Sequence, residues 1–457
     1  MYNLGINTEK EGDHVISENA KNALRILAQS GYQSYLVGGC VRDSVMGIEV
    51  NDTDITTPAA PEKVREIFGG YKVIETGIKH GTVTVMIGGE PIEITTFRTE
   101  GVYSDNRHPD SVSFSGNLSD DLSRRDFTVN ALCLDQDGRI TDLFGGIKDI
   151  EEKTIRCIGK AEERFAEDSL RILRALRFSS KLGFEIESET EKAMYDCRSL
   201  LHNLSAERIY SELKKILCGS FAGKTIRKYY DILVEVLPEI GGMKNFDQHN
   251  FHHIYDVLEH TVRVVDAVRP EPYMRFAALF HDCAKPDCFS LDSEGVGHFY
   301  SHAPKGAKKA QQALQRLKAD NFTAERVVKL VRIHDSPIEA DERTIKRKLQ
   351  KLGEPMLYDL IELQRADNLA QAPQFRSRQK HLDELIGIAK TVLEKSQCFS
   401  LKQLAVDGND LKQLGYEGRR IGRALNLLLN AVIDEKAENK KTSLLSFLES
   451  RYPPAQN

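Results

Sequence analysis

The 457-residue chain contains no run of eighteen apolar residues, so no transmembrane helix is expected. Its first residues, MYNLGINTEKEGDHVISE, lack a basic start followed by an apolar stretch, and no secretory signal is expected there. The eight cysteines, at 40, 133, 157, 197, 218, 283, 288 and 398, form no C-x-x-C, and no second close pair complements Cys283 and Cys288. Reduced thiols in a cytoplasm fit this usage better than a disulfide framework. An excess of positive charge is also missing: 63 Lys and Arg against 68 Asp and Glu leave a net charge of −5. That balance does not advertise a nucleic-acid binder, although an acidic whole can carry a basic face. There is no internal repeat and no low-complexity linker. The length exceeds what one hydrophobic core organises, so two to four domains are expected.

What is present divides by periodicity. Residues 15–30 form an amphipathic helical pattern that ends near Gly31. From Tyr35 to about Ile158, short β-rich runs (SYLVGG, KVIE, GTVTVMI, PIEITTF, SVSF, VNALCL, RITDLF) are punctuated by Gly and Asp, with helical stretches at 41–47 and 61–68. From about 161 onward the period is helical almost to the end, with breaks near 220–224, 237–250, 286–300 and 371–381.

The strongest signal is Leu36-Val-Gly-Gly-Cys-Val-Arg-Asp43, followed by Asn51-Asp-Thr-Asp-Ile55. Without a Cβ, Gly38 and Gly39 after a strand let backbone amides approach a phosphate closely. A helix beginning near Val41 would aim its amides and Arg42 at a triphosphate. Asp52 and Asp54 are two apart, so on a strand both carboxylates emerge on one face. Two hard oxygen ligands suit Mg²⁺, and Glu93 in PIEITTF supplies a third carboxylate for a two-metal phosphoryl-transfer site. A lone D-x-D is usually a turn or a solvated patch; Gly-Gly, Arg-Asp and D-x-D in this order are far more specific.

These residues resemble the nucleotidyltransferase superfamily, specifically the bacterial-type (class II) CCA-adding enzymes and poly(A) polymerases. Further stretches carry the likeness, which spans about 30 to 450. Thr96-Phe-Arg98 through Arg107-His-Pro-Asp-Ser-Val112 resembles the family's flexible loop. The run Leu122 to Ala131, with Arg124, Arg125, Asp126 and Asn130, resembles a motif that contacts ribose and phosphate. Leu143-Phe-Gly-Gly-Ile147 resembles a hinge-like motif, and Ala206-Glu-Arg-Ile-Tyr-Ser-Glu-Leu213 a neck motif. The resemblance implies Mg²⁺ at the head, CTP and ATP as substrates and tRNA as partner.

Glu167-Asp-Ser-Leu-Arg171 matches the family's E-D-x-x-R. On a helix, Asp168 and Arg171 would lie three apart on one face, with Leu173 and Leu176 on a core side. A carboxylate only accepts hydrogen bonds and a guanidinium only donates. Cytosine and adenine offer an amino donor beside a ring-nitrogen acceptor, whereas uracil and guanine reverse that order. An Asp–Arg pair therefore fits C and A and leaves unpaired groups against U and G, at a cost of roughly 1–3 kcal/mol each. The bland reading is a solvated i,i+3 ion pair. Arg174 and Arg177 would contact triphosphate or RNA, or neutralise Glu167 and Asp168.

Farther on, His260, His281-Asp282, His302, His334 and Asp367 occur in an order that resembles the HD phosphohydrolase superfamily. The likeness implies a divalent metal on His260, His281, Asp282 and Asp367, with His302 and His334 at positions used for a second metal or substrate phosphate. Imidazole with carboxylate suits Mn, Ni, Co or Fe better than Mg²⁺. Lys285 is placed to bind phosphate. Ala303 departs from the superfamily, where an acidic residue is common, which bears on the second metal. An intact site implies phosphatase or 2′,3′-cyclic phosphodiesterase activity; the alternative is a helical scaffold and RNA platform. Near the tail, Arg419, Arg420 and Arg423 are candidates for tRNA phosphates, or form a solvated helix end.

The expected fold class is α+β: a small nucleotidyltransferase head with a mixed β-sheet (1–158), a helical neck for base and tRNA recognition (159–222), an HD-type helical body (223–385) and a helical tail that binds tRNA (386–457). The expected function is template-independent addition or repair of the 3′-terminal CCA of tRNA, in a cytoplasmic monomer or homodimer. Three alternatives stand beside it: a poly(A) polymerase or A-adding enzyme, an HD metal-dependent phosphohydrolase acting on RNA ends, and a non-catalytic RNA-binding protein.

Overall fold

A computed structural model describes residues 16–50, 52–78, 81–100, 112–395 and 397–454. The chain falls into two compact units, residues 1–238 and 239–457. Residues 101–111, most of the stretch that resembles the flexible loop, lie outside the described residues.

The first unit opens with α1 (Glu18–Gln29), whose Ser17 caps the Ala20 amide and whose Ala20, Ala23, Leu24 and Leu27 are buried at helical spacing. A mixed sheet follows, in the order β3-β4-β5-β2-β1-β8-β9. Its strands are β1 (Tyr35–Val37), β2 (Thr53–Thr57), β3 (Lys72–Ile74), β4 (Thr82–Ile87) and β5 (Glu90–Thr96), completed by β8 (Leu132–Leu134) and β9 (Ile140–Asp142). Between them, β6 (Arg98–Glu100) and β7 (Val112–Phe114) form a separate two-stranded ribbon. Helices α2 (Gly39–Val45), α3 (Pro61–Ile67), α4 (Leu118–Ser123) and α5 (Gly146–Glu151) connect or cover the strands. Alternation in β4 and β5 buries Val83, Val85, Ile92 and Ile94 completely, on the side that carries the head core. β2 and β5 run parallel, in a register that sets Asp54 opposite Glu93. The packing of the core thus places two acidic side chains side by side.

The helical part of this unit comprises α6 (Ala161–Glu167), α7 (Leu170–Leu182), α8 (Ser188–Cys197), α9 (Ala206–Leu217) and α10 (Ala222–Val236). Leu173 and Leu176 of α7 are fully buried, and Gly183 ends that helix in a left-handed conformation. The unit continues through α10 to residue 238.

The second unit is helical apart from one short hairpin at 290–298. Its first helices are α11 (Val257–Ala267), α12 (Pro272–Phe280), α13 (His302–Arg316), α14 (Asn321–Ile333), α15 (Glu342–Leu352), α16 (Glu354–Leu369) and α17 (Arg378–Glu394). Helix α12 is buried along its whole length from Tyr273 to Phe280, and the helices around it supply polar outer faces. The last helices, α18 (Gly408–Gln413), α19 (Arg419–Ile433) and α20 (Lys441–Arg451), close around their own apolar cluster of Leu411, Tyr416, Leu428, Leu444 and Leu448. Among the described residues, no helix is long and apolar enough to cross a membrane. All eight cysteines are free.

Candidate active site and a histidine cluster

In the first unit the functional side chains gather around a cleft of about 1090 Å³. Asp54 projects from β2 and Asp52 precedes that strand by one residue, so only one carboxylate of the pair is a strand residue. Burial pushes the Asp54 carboxyl up to about 6, the neighbouring Glu93 and Asp52 add to the rise, and Arg125 partly offsets it. Asp54, with Glu93 and Asp52 beside it, forms a hard-oxygen pocket whose buried charge a divalent cation would relieve.

Gly38 leads into α2 with φ +82°, and a Cβ there would sit 3.2 Å from Arg125 Nη1 and 3.9 Å from Asp54 Oδ2. The chain therefore passes close to the carboxylates at a position that suits glycine alone. Helix α2 starts at Gly39, two residues before the start read from the sequence. Buried Arg42 donates to Asp43 Oδ1 at 2.8 Å and to Asn130 Oδ1 at 2.6 Å. Asn130 donates to Asp126 Oδ1 at 3.0 Å, and Arg174 donates to Asp126 Oδ2 at 2.7 Å. Burial works against ionisation of Asp126, yet the Arg174 charge and these hydrogen bonds bring it down to about 2. Arg124 and Arg125 both reach buried Asp121. Arg98 lines the same cleft, as do Lys181 and Lys215, and basic side chains outnumber acidic ones around it. The phosphate-facing arginines are thus held by a second layer of carboxylates and an amide, so their geometry is set before any ligand arrives.

Asp168 and Arg171 differ from the helical arrangement expected. Asp168 lies between α6 and α7 in an extended conformation, φ −139°, rather than on a helix. Arg171 turns away from it, donating to Glu167 Oε2 at 2.6 Å and to the carbonyls of Arg164 and Arg124 at 2.9 and 3.1 Å. Asp168 is held instead by Arg208 Nη2 of α9, at 2.8 and 3.1 Å from its two oxygens. Both Asp168 and Arg208 line the cleft. Arg177 pairs with buried Glu212 at 3.0 Å and lies over the ring of Phe178.

The second unit gathers the histidines. His260 comes from α11, His281 and Asp282 follow α12, His302 opens α13, His334 follows α14 and Asp367 lies in α16. His260, His281 and Asp282 bring ligand atoms within 4.8 Å of one another, as do Asp282, His302 and His334. Asp367 Oδ1 is 3.0 Å from His260 Nε2. Each ring is oriented by a backbone carbonyl at Nδ1: Ala278 O for His281 at 2.7 Å, Val331 O for His334 at 2.8 Å, Phe299 O for His302 at 2.9 Å and Ala370 O for His260 at 3.4 Å. A carbonyl only accepts, so Nδ1 carries a proton, and in a neutral ring Nε2 presents its lone pair. Burial opposes a charge on His281, but neighbouring Asp282 raises its proton affinity. The His260 and His281 Nε2 atoms then face each other at 3.3 Å, as do those of His302 and His334, with Asp282 between the pairs. Lone pairs opposed at this distance, beside a buried carboxylate, could hold a divalent metal through imidazole nitrogen and oxygen. Burial opposes ionisation of Asp282, but His281 and Lys285 hold it well below the usual carboxylate range.

Comparison with known proteins bears on these sites. The description "Poly A polymerase head domain" matches residues 34–156, "Probable RNA and SrmB- binding site of polymerase A" matches 183–241, and "tRNA nucleotidyltransferase domain 2 putative" matches 299–448. A CCA-adding enzyme of Lactobacillus helveticus is 34% identical over 435 residues, covering 94% of this chain and 96% of that protein. The chain belongs to the CCA-adding enzyme family. A CCA-adding enzyme of Oceanobacillus iheyensis is 50% identical over 220 residues, 48% of this chain and 54% of that relative. The solved structure of the Bacillus stearothermophilus CCA-adding enzyme in complex with CTP aligns with a TM-score of 0.72 and 29% identity, over 95% of this chain and 97% of that one. The Thermotoga maritima CCA-adding enzyme complexed with tRNA shares the fold at a TM-score of 0.55 and 20% identity. As a family member the chain is a nucleotidyltransferase, a chemistry that implies a divalent metal.

Within this CCA-adding family member, the structure brings the head residues Gly38, Gly39, Arg42, Asp52, Asp54, Glu93, Arg98, Arg124, Arg125, Asp126, Asn130, Asp168, Arg171, Arg174 and Arg177 to one cleft. Sequence reasoning passed over Arg208, although the run 206–213 that contains it stood out. It also missed Gln248 and His253 of the body. Lys285 Nζ lies 2.8 Å from both Gln248 Oε1 and Asp282 Oδ2, and 3.4 Å from His253 Nε2. The concentration of histidines at 249, 252 and 253, just ahead of His260, was the available signal. Of the tail arginines, Arg420 is spent on the Pro453 carbonyl at 2.6 Å and on the Tyr452 ring, while Arg419 and Arg423 are exposed.

Proposed function

We propose that the protein adds or repairs the 3′-terminal CCA of tRNA, transferring CMP and AMP from CTP and ATP and releasing pyrophosphate. The observation that carries this reading is the cleft in which Asp52, Asp54 and Glu93 face a basic wall that also contains Asp168. Asp52, Asp54 and Glu93 would hold Mg²⁺, which when bound lowers the pKa of the tRNA 3′-hydroxyl and neutralises charge on the departing pyrophosphate. The Gly38–Gly39 backbone leaves room for the triphosphate, and Arg42 and Arg125 beside it offset its charge. Pre-set arginines then align the α-phosphate for in-line attack, so the protein contributes position and electrostatics. Asp168 would accept a hydrogen bond from the amino group of C or A and would meet a carbonyl oxygen at the corresponding position of U or G. Arg171 supplies the neighbouring donor after leaving its present partners Glu167, Arg164 and Arg124. Incubation with tRNA lacking CCA, Mg²⁺ and each labelled NTP tests the reading. Two C followed by one A, then a stop, supports it. Long A tails point to a poly(A) polymerase, and A addition only to tRNA ending in CC points to an A-adding enzyme.

A second activity is favoured by the opposed Nε2 lone pairs around Asp282. His260, His281, Asp282 and Asp367 would hold one divalent ion of the Mn, Ni, Co or Fe type, with His302 and His334 at the second position. Lys285 would meet a phosphate by exchanging its present contacts with Gln248 and Asp282, and the site would act as a phosphatase or 2′,3′-cyclic phosphodiesterase on damaged RNA ends. Release of phosphate from a 3′-phosphorylated RNA on addition of Mn²⁺, lost in His281→Ala, is the expected result. Free thiols agree with a cytoplasmic place of action, and Arg419 and Arg423 of the tail would meet tRNA phosphates.

A further inference from the structure

A trio and a pair of aromatic rings flank in sequence the residues of the histidine cluster, each with an exposed member outside the apolar core. On one side Phe251, 63% exposed, lies 4.4 Å from the His252 ring and 5.6 Å from Phe375, and His252 lies 4.0 Å from Phe375. This trio is tied to the cluster through the backbone. The His252 carbonyl accepts from the Ala372 amide at 3.0 Å, and Ala370, two residues earlier, gives its carbonyl to His260. The next residue, His253, sets its ring 5.1 Å from that of His260. On the other side Tyr300, 73% exposed, stacks on His298 at 5.4 Å with an interplanar angle of 9°. Tyr300 immediately follows Phe299, whose carbonyl orients His302.

We propose that these aromatic faces form a shelf that stacks the terminal nucleobase of an RNA end, so that the cluster selects nucleotides over base-free phosphate esters. The inference rests on the phosphohydrolase reading of the cluster and names what that site would take. Exposed Phe and Tyr cost solvation free energy and contribute no core packing here; each presents a π-face to solvent. Every nucleobase has a matching face, and stacking on aromatics is tolerant of base identity, as a site for varied damaged ends requires. A terminal nucleotide carries its phosphate one ribose away from its base. The base on the shelf would therefore leave the phosphate near Lys285 and the imidazoles, whereas a base-free ester would leave the shelf uncovered. In hydrolysis of a 2′,3′-cyclic end, the water oxygen bonds to phosphorus, one P–O bond to ribose breaks, and the freed ribose oxygen takes the proton.

The test uses the full-length protein with Mn²⁺ and two probes. One is a short RNA with a 2-aminopurine base at a 2′,3′-cyclic phosphate end, and the other is glycerol 2-phosphate, which carries no ring to stack. Phe251→Ala and Tyr300→Ala should each raise KM for the RNA about tenfold or more. Both variants should leave glycerol 2-phosphate hydrolysis unchanged, and Phe251→Trp should restore RNA binding. His281→Ala should abolish hydrolysis of both probes. Unchanged RNA kinetics in both alanine variants would overturn the shelf while leaving the phosphohydrolase reading intact. If the wild type hydrolyses neither probe, that reading falls and 2-aminopurine fluorescence decides the shelf. Quenching that disappears in Phe251→Ala and Tyr300→Ala keeps it as a binding surface, and quenching that persists in both removes it.

Discussion

The head and the body solve the same problem, concentrating ligand atoms that repel one another, with opposite materials. In the head the ligands are carboxylates, and the stress appears as a proton affinity: Asp54 is pushed up to about 6 by burial and by Glu93 and Asp52. In the body four imidazoles crowd around one buried carboxylate, with each ring's Nδ1 committed to a carbonyl. Oxygen ligands set on strands beside a basic cleft suit a hard cation that shares its shell with phosphates. Imidazoles oriented by main-chain carbonyls suit a borderline metal held by the protein itself. The comparison teaches that one chain can gather two clusters of ligand-type side chains that differ in donor atom and in how far the sequence reveals them.

The largest expected effect separates the two sites outright. Asp54→Ala should lower addition of both C and A by about 10³-fold or more, since the charge stabilisation of the transition state is lost. It should leave Mn²⁺-dependent hydrolysis untouched, and His281→Ala should do the reverse. Paired nucleotide-incorporation and phosphate-release assays on both variants check this; an Asp54→Ala protein that loses hydrolysis as well would break the comparison.

Next in size is base selection within the head. Asp168→Ala should keep measurable incorporation but reduce preference for C and A over U and G by about 10- to 100-fold, the worth of one or two mismatched buried groups. Competition between labelled CTP and UTP reads it. Undiminished discrimination would sink the protein-template idea. Arg208→Ala sharpens the point: with its partner gone, Asp168 loses the contact at 2.8 Å that fixes its carboxylate, so discrimination should fall more than the rate of C addition. Arg208→Lys should recover part of it.

These residues also show how far the sequence reaches. Gly38, Gly39 and Asp54 could be singled out from local properties, whereas Asp52 precedes the strand and reaches the cleft without the two-residue alternation expected of it. The strand register then sets Glu93 opposite Asp54. The mixed sheet and helical remainder were legible from the change of period near residue 161. Asp168 was legible as a residue but not in its geometry: a helical i,i+3 relation assumes a continuous helix, and the chain breaks between Glu167 and Leu170. Its ion pair with Arg208 spans forty residues and depends on how α9 packs on α7, which no local pattern encodes. The body ligands could be read as an order of residue types. The carbonyls that orient them, and the roles of Gln248 and His253, arise only from tertiary packing.

A smaller effect follows from the different response to pH. Asp54 binds its proton more tightly folded than unfolded, so its contribution to stability is present at low pH and lost as pH rises through about 6. Above that pH the metal-free head bears a buried anion, and Mg²⁺ relieves it. The thermal shift on adding Mg²⁺ should therefore be larger at pH 7.5 than at pH 5, and nucleotide addition should decline as pH falls below about 6. A Mg²⁺ shift independent of pH across this window would show that Asp54 does not face the cation. The body should contribute little to a Mg²⁺ shift at either pH, because its imidazole ligands favour other metals.

The smallest expected effect concerns backbone rather than ligands. Gly38 holds φ +82° at the point where the chain passes Arg125 and Asp54. Gly38→Ala should destabilise the first unit by about 1–3 kcal/mol, the cost of a side chain in that conformation, with a further push against Arg125 Nη1. Calorimetry should show a lowered transition for the head unit and an unmoved transition for residues 239–457, and KM for CTP should rise because Arg125 is displaced. No ligand of the histidine cluster is itself a glycine, but a Cβ at Gly297 would collide with the Gln248 carbonyl, so the body has a comparable backbone approach one step removed from its ligands. If Gly38→Ala left KM unchanged, the close approach of backbone to phosphate would lose its support, and the arginines alone would have to account for triphosphate binding.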